Sequence, residues 1–381
     1  MLSKLTWPLL LTLSVLVLNA PAFGSKPTPE AQALIETLGL SEADAPISKH
    51  PGWKPRKIVV MLLPKAGFGS PDYEAQLRNA AGEVELVIDH SGDFVPSAQI
   101  LAGADAVIGI CTSPMLQNAD ENLLWVHNYY VGMDHCKGAT EAQLQDIVFT
   151  NNKRLSGPAI AEHAIAMLLA LTHNLPAYST AQRKANWNSA LSDGVTFGEL
   201  RGKTLLVVGL GGIGTEIAWR AHGLGMRVIA TRNSSREGPD YVTKVGLSDD
   251  LYALAGEADV IANALPLTPA TTGVFNKAFF EAVKPGAIFL SVGRGQSTVT
   301  SDLVAALESH QLYGAGLDVT DPEPLPKDSP LWHLPNVIIT PHVSAAGGDS
   351  PERTMIIAIE NLRRYVEGEP LLNIVDMRKG Y

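Results

Sequence analysis

The stretch Thr204-Leu205-Leu206-Val207-Val208-Gly209-Leu210-Gly211-Gly212-Ile213-Gly214 decides how this chain is read. Its first five residues are apolar or β-branched, the composition of a buried strand. The next six spell Gly-x-Gly-x-x-Gly, and Thr215 to Leu224 continues as a helix-like segment. Strand, glycine turn and helix in that order form a dinucleotide-binding fingerprint. Gly209 permits the tight turn, Gly211 leaves room for a pyrophosphate, and Gly214 lets helix and strand pack closely. The whole loop, Gly212 and Ile213 included, then brings the unpaired N–H groups and positive dipole end of a helix to the phosphates.

About 20 residues further on, an acidic residue at the end of the next strand would hold the ribose hydroxyls of NAD. Here Val228-Ile229-Ala230 runs into Thr231-Arg232-Asn233-Ser234-Ser235-Arg236, and no acid appears before Glu237. A guanidinium pairs with phosphate in fork geometry. Arg232, Asn233, Ser234 and Arg236 therefore read as a pocket for the 2′-phosphate of NADP, favoured over NAD. The plainer alternative is a solvated basic loop.

Outward from this motif the pattern repeats. Apolar runs at 58–63, 84–88, 104–110 and 123–129 precede it, and runs at 226–231, 258–263, 286–291, 314–318 and 336–340 accompany it. Helix-like stretches separate them. The fold class is α/β, with two doubly wound, Rossmann-like parallel sheets. Residues 159–171 are apolar on nearly every side and predict a buried helix. Residues 351–366 predict an amphipathic one.

Three segments begin where strands of the second series stop: Ser291-Val292-Gly293-Arg294-Gly295, Asp318 to Pro324, and Thr340-Pro341-His342. In an open parallel sheet, ligands bind outside those carboxyl ends. The chemistry suits reduction of a 2-oxo acid. Arg294 can bind the carboxylate and polarise the carbonyl. His342 can donate a proton to the carbonyl oxygen. Glu323 can orient the imidazole and stabilise its cation.

With these pieces in place, the chain resembles the D-isomer-specific 2-hydroxyacid dehydrogenase family over roughly residues 57–376. The resemblance also rests on Glu199 to Thr204, Leu265-Pro266-Leu267-Thr268-Pro269 with Thr271, Ala161-Glu162-His163, and Pro335-Asn336-Val337. It implies catalytic roles for Arg294, Glu323 and His342. It implies cofactor contacts at Leu265, Pro266, Thr271 and Val292, with Asp318 beside the nicotinamide end. Val131-Gly132-Met133-Asp134 is similar to the family's substrate loop, which makes Val131 and Gly132 substrate contacts through their N–H groups. It further implies a cofactor domain (156–342) inserted into a split substrate domain (25–155 and 343–381), and a homodimer joined through the cofactor domain. Within the family the look is that of NADPH-using glyoxylate or hydroxypyruvate reductases. A non-catalytic dinucleotide sensor or scaffold is the alternative. No metal site is expected.

The 381 residues carry 29 basic and 39 acidic side chains, a formal charge of −10, which disfavours a nucleic-acid binder. Lys4, an apolar run from Leu5 to Leu18, and Ala20-Pro21-Ala22 read as a signal peptide over 1–24. Export follows, with no stable membrane span after cleavage. The alternative is an uncleaved anchor. Two cysteines exclude a disulfide-stapled scaffold. Cys111 and Cys136 could bridge if their strands are neighbours. Two ordinary buried thiols is the preferred reading.

Overall fold

The computed structural model describes residues 26–64, 67–136, 138–193, 195 and 197–380. The expected signal segment lies outside them. A five-stranded parallel sheet comes first: β1 (Lys57–Met61), β2 (Glu85–Asp89), β3 (Ala106–Gly109), β4 (Trp125–Asn128) and β5 (Val148–Asn151), in the order β2-β1-β3-β4-β5. A seven-stranded parallel sheet follows: β6 (Thr204–Val208), β7 (Arg227–Thr231), β8 (Val242–Gly246), β9 (Val260–Asn263), β10 (Ala287–Ser291), β11 (Leu312–Leu317) and β12 (Val337–Ile339). Its order is β12-β11-β10-β9-β6-β7-β8. The order reverses between β6 and β9, the switch point where doubly wound sheets open a crevice. The central strands are apolar on both faces, as burial between two helical layers requires.

Helices α1 (Pro29–Leu38), α2 (Pro71–Ala81), α3 (Ala98–Leu101), α4 (Ser113–Asn118) and α5 (Glu141–Asp146) belong to the first half. Thr28 and Ser70 start the first two by accepting the Ala31 and Tyr73 N–H groups, with proline in the first turn. Helices α6 (Gly157–Thr172) and α7 (Leu175–Arg183) lead into the second sheet, whose own helices are α8 (Gly212–Gly223), α9 (Leu251–Ala255), α10 (Lys277–Ala282) and α11 (Thr300–Glu308). Helix α6 buries Ile160, Ala164, Met167, Leu168 and Leu171 against that sheet and α8. Its burial is one-sided, because Glu162 and Ala166 remain exposed.

The last helix, α12 (Ser350–Glu367), returns to the first sheet. Ala358, Ile359, Leu362 and Tyr365 share a core with Ile58, Val60 and Trp125. The Tyr365 ring stacks on Trp125 at 4.9 Å, and its hydroxyl donates to Asp105. The last helix thus completes the first sheet's core.

Two strands escape the sequence pattern. β5 is a short run ending in two asparagines, and β8 is an edge strand with exposed Thr243 and Lys244. The preferred reading of the cysteines is also corrected. β3 and β4 are neighbours, with Gly109 opposite Asn128. Their continuations carry Cys111 and Cys136 to a Cα separation of 5.1 Å, and the two are disulfide-bonded.

Candidate active site

The glycine loop leaves β6 and enters α8 at Gly211, the N-cap. Gly209 has φ +99°, a left-handed conformation, and a Cβ there would press on the Ala264 carbonyl. A Cβ on Gly214 would collide with the Gly209 carbonyl and lie 2.9 Å from Val207. A Cβ on Gly211 would meet no protein atom within 4 Å. Two of the glycines thus serve packing and one faces open space. With the amides of the first turn of α8, where Gly212 and Ile213 sit, this is a fit for a pyrophosphate.

The loop after β9 packs on the loop after β10. A Cβ on Gly293 would lie 2.7 Å from the Leu265 carbonyl oxygen. Buried Asn263 ties the two together. Its amide donates to Ser291 Oγ at 3.0 Å and Ser297 Oγ at 2.8 Å, and its oxygen accepts the Leu265 N–H at 3.1 Å. Thr271 works inside the Leu265–Pro266 loop: its hydroxyl donates to the Pro266 carbonyl at 2.7 Å and accepts the Thr268 N–H. Val292 is buried in the core of the second sheet.

Asp318, at the end of β11, is fully buried. Its carboxylate accepts the Thr340 hydroxyl at 2.6 Å and the N–H groups of Val343 and Ser344 at 2.9 and 3.0 Å. Burial pushes its carboxyl up, but these donors outweigh burial and hold it below the usual range. Because Thr340 donates to Asp318, its oxygen accepts from His163 Nε2 at 2.9 Å. Asp318 is therefore the clamp of the 340–344 turn. The same turn holds His342 at φ +54°.

His342 Nδ1 donates to Glu323 Oε2 at 2.9 Å. The other Glu323 oxygen accepts the Thr320 N–H at 2.9 Å, which fixes the carboxylate. His342 and Glu323 side chains are 45% and 37% exposed, so the pair contributes little to stability. Its use is orientation: Nδ1 is committed and Nε2 is left to carry a proton.

Arg294 reaches across to the first half of the chain. Its Nε and Nη2 each lie 3.1 Å from Asp134 Oδ1. Arg294 draws the Asp134 carboxyl below the ordinary range against the opposing effect of burial. Gly132 lies directly under the guanidinium, since a Cβ there would collide with Arg294 Nη2. The Val131–Gly132 loop, Arg294 and the His342–Glu323 pair are thus brought to the carboxyl edges of the two sheets. A carboxylate beside Arg294 and a proton donor nearby are what a 2-oxo acid needs for reduction.

The turn after β7 is exposed at Asn233, Ser234 and Arg236, with Arg232 half-buried. Arg232 donates to the Glu237 carbonyl at 3.1 Å, and Arg236 pairs with Asp250 at 2.7 Å. Arg236 is therefore engaged within the protein, and Arg232 stands nearer the strand end. Sequence reasoning assigned no role to Asn263 or to the Asp134 side chain. Asn263 ends β9, whereas Asp134 follows the Val131–Gly132 loop well past the end of β4, and neither carries a local signal of its partner.

Residues 165–344 match the family model described as D-isomer specific 2-hydroxyacid dehydrogenase, NAD binding domain. A human glyoxylate reductase/hydroxypyruvate reductase is 30% identical over 301 residues, covering 76% of this chain and 90% of that protein. The chain belongs to the D-isomer-specific 2-hydroxyacid dehydrogenase family. Solved structures of the family agree with the fold. A family protein from Aeromonas salmonicida superposes with a TM-score of 0.68 at 31% identity, over 84% of this chain and 99% of the other. An NADPH-dependent glyoxylate/hydroxypyruvate reductase from Sinorhizobium meliloti, solved with NADP and sulfate, gives 0.69 at 27%, over 86% and 100%. In this family the matched domain is the nicotinamide-dinucleotide domain, and the glycine loop described above lies inside it.

Proposed function

We propose that this chain reduces a small 2-oxo acid of the glyoxylate or hydroxypyruvate type to the D-2-hydroxy acid. The observation that carries the reading is the His342–Glu323 pair at 2.9 Å, on the same sheet edge as Arg294 and the glycine loop. Arg294 binds the substrate carboxylate and polarises its carbonyl. Glu323 holds the imidazole so that His342 Nε2 delivers a proton to the carbonyl oxygen. The nicotinamide, when bound, supplies the hydride. Gly209 to Gly214 would hold its pyrophosphate, with Leu265, Pro266 and Thr271 lining the path to the nicotinamide and buried Val292 and Asp318 supporting that edge from behind.

NADPH is the proposed cofactor because β7 ends in Arg232 without an acidic residue. Relatives point the same way, including the NADPH-dependent reductase from Sinorhizobium meliloti. The test follows absorbance at the reduced-nicotinamide band with glyoxylate and hydroxypyruvate, for NADPH and NADH in parallel. Tight cofactor binding without turnover of any 2-oxo acid would instead support a dinucleotide sensor or scaffold. Arg232→Ala should weaken NADPH and leave NADH nearly unchanged.

The protein is further proposed to be exported after loss of residues 1–24 and to act as a homodimer. The Cys111–Cys136 bridge suits an oxidising compartment. Sequencing the mature N-terminus tests the first proposal, since recovery of intact Met1 from the cytosol would overturn it. Light scattering on the purified protein tests the second.

A further inference from the structure

Three buried asparagines at the carboxyl edge of the first sheet hold four successive carbonyls of one loop. Asn128 ends β4 and Asn151 ends β5, and the two are register partners. Asn152 comes next in the chain. Asn152 Nδ2 donates to the Tyr129 carbonyl at 2.9 Å. Asn128 Nδ2 donates to those of Tyr130 and Gly132 at 3.1 and 2.9 Å. Asn151 Nδ2 donates to that of Val131 at 2.6 Å. All three side chains are at most 2% exposed. Asn128 is itself fixed, because its Oδ1 accepts the Cys111 N–H at 3.0 Å.

A trans peptide puts its C=O and its N–H on opposite edges. The only cis bonds among the described residues are at Pro322 and Pro324. Asn128, by holding the Tyr130 carbonyl, therefore turns the Val131 N–H away from itself. Asn151, by holding the Val131 carbonyl, does the same for the Gly132 N–H. Neither N–H meets a protein acceptor among the described residues. Gly132 lies under the Arg294 guanidinium. Uncommitted N–H groups beside a guanidinium are an anion site.

We propose that Asn151, with Asn128 beside it, is a positioning residue for the substrate carboxylate, acting through the orientation of the Gly132 and Val131 amides. This rests on the 2-oxo acid reading above. Neither asparagine touches substrate; each sets a peptide plane that does.

The experiment compares Asn151→Ala and Asn128→Ala with the wild type, each as the full mature chain. Four quantities are read: KM and kcat for the best 2-oxo acid, the NADPH Kd from fluorescence, the Kd of oxamate by calorimetry on the NADPH-loaded protein, and Tm. The expected result is a rise of about 10- to 100-fold in KM and in the oxamate Kd, with kcat within about threefold. NADPH affinity should be unchanged. Unchanged oxamate binding in a folded variant overturns the proposal. So does a parallel loss of NADPH and oxamate binding, or failure of both variants to fold, since either assigns the asparagines a merely structural role. A wild type that turns over no 2-oxo acid defeats the functional reading. A wild type that does so, beside variants with unaltered KM, defeats this inference alone.

Discussion

Breaking the Cys111–Cys136 bridge offers a quantitative test of the substrate-side architecture. The bridge spans a sequence separation of 25, enclosing α4, β4 and the Val131–Gly132 loop. The chain-entropy relation for a loop of that length gives about 3.5 kcal/mol of stabilisation at 25 °C. For a domain of this size that is a fall of about 7 to 14 °C in Tm. Reduction of the wild type is the cleanest perturbation, because it changes no side chain other than the two sulfurs. Both cysteines are buried among Val59, Met61, Met115 and Met133, so a mutation would add a packing cost of its own. The assay is a thermal melt with and without a strong thiol reductant, followed by a tryptophan signal. Trp125 sits in the core of this sheet. The unfolding transition of the first sheet should move and that of the second should not. A shift below about 2 °C, or two titratable thiols in the unreduced denatured protein, would refute the reasoning.

Three other outcomes are expected. His342→Ala should lower kcat by about 10²- to 10⁴-fold while NADPH binding persists, read by steady-state kinetics and fluorescence. Gly211→Ala should keep its Tm and lose NADPH affinity, because its Cβ meets no protein atom; Gly214→Ala should lose Tm through collision with the Gly209 carbonyl. Equal behaviour of the two variants would contradict the packing described. Burial pushes the His127 imidazole down to about 3, against the slight opposing effect of Asn152. The unfolded chain then takes up this proton first, near its ordinary value of about 6.5. Stability is intact above that pH and falls as pH drops from about 6.5 towards about 3, by up to about 1.4 kcal/mol per pH unit from this group. Denaturant melts at several pH values read the slope, and His127→Gln should flatten it.

Much of the fold is legible because burial on both faces writes itself as apolar runs. β6, β7, β9 and β10 need no tertiary information to be found. β5 and β8 escape because neither carries such a run: β5 ends in Thr150 and Asn151, and β8 exposes Thr243 and Lys244 at the sheet edge. The site is legible where it depends on local chain geometry: glycines at a strand-to-helix turn, and charged groups just past strand ends. It is not legible where groups meet across the crevice. Asp134 and Arg294 are 160 residues apart in sequence. Nothing local marks Asp134 as the partner, and nothing local marks Asn263 as the tie between two loops. The bridge is only a conditional reading for the same reason, since it hangs on β3 and β4 being adjacent.

The Arg294–Asp134 contact carries a consequence for which acids this crevice admits. The guanidinium already has an anion at 3.1 Å, so it stays extended in place and holds less than a full unit of unbalanced positive charge. One incoming carboxylate can share it through the remaining donors of the fork. Asp134, whose charge is secured by that contact, opposes negative charge brought beside it, and each added carboxylate raises that repulsion in this partly buried setting. The crevice is in effect a charge-counting filter. It should discriminate against dicarboxylic 2-oxo acids through Coulombic repulsion, even where they would fit by size. Asp134→Asn should relax that discrimination while leaving the monocarboxylic preference to the peptide amides.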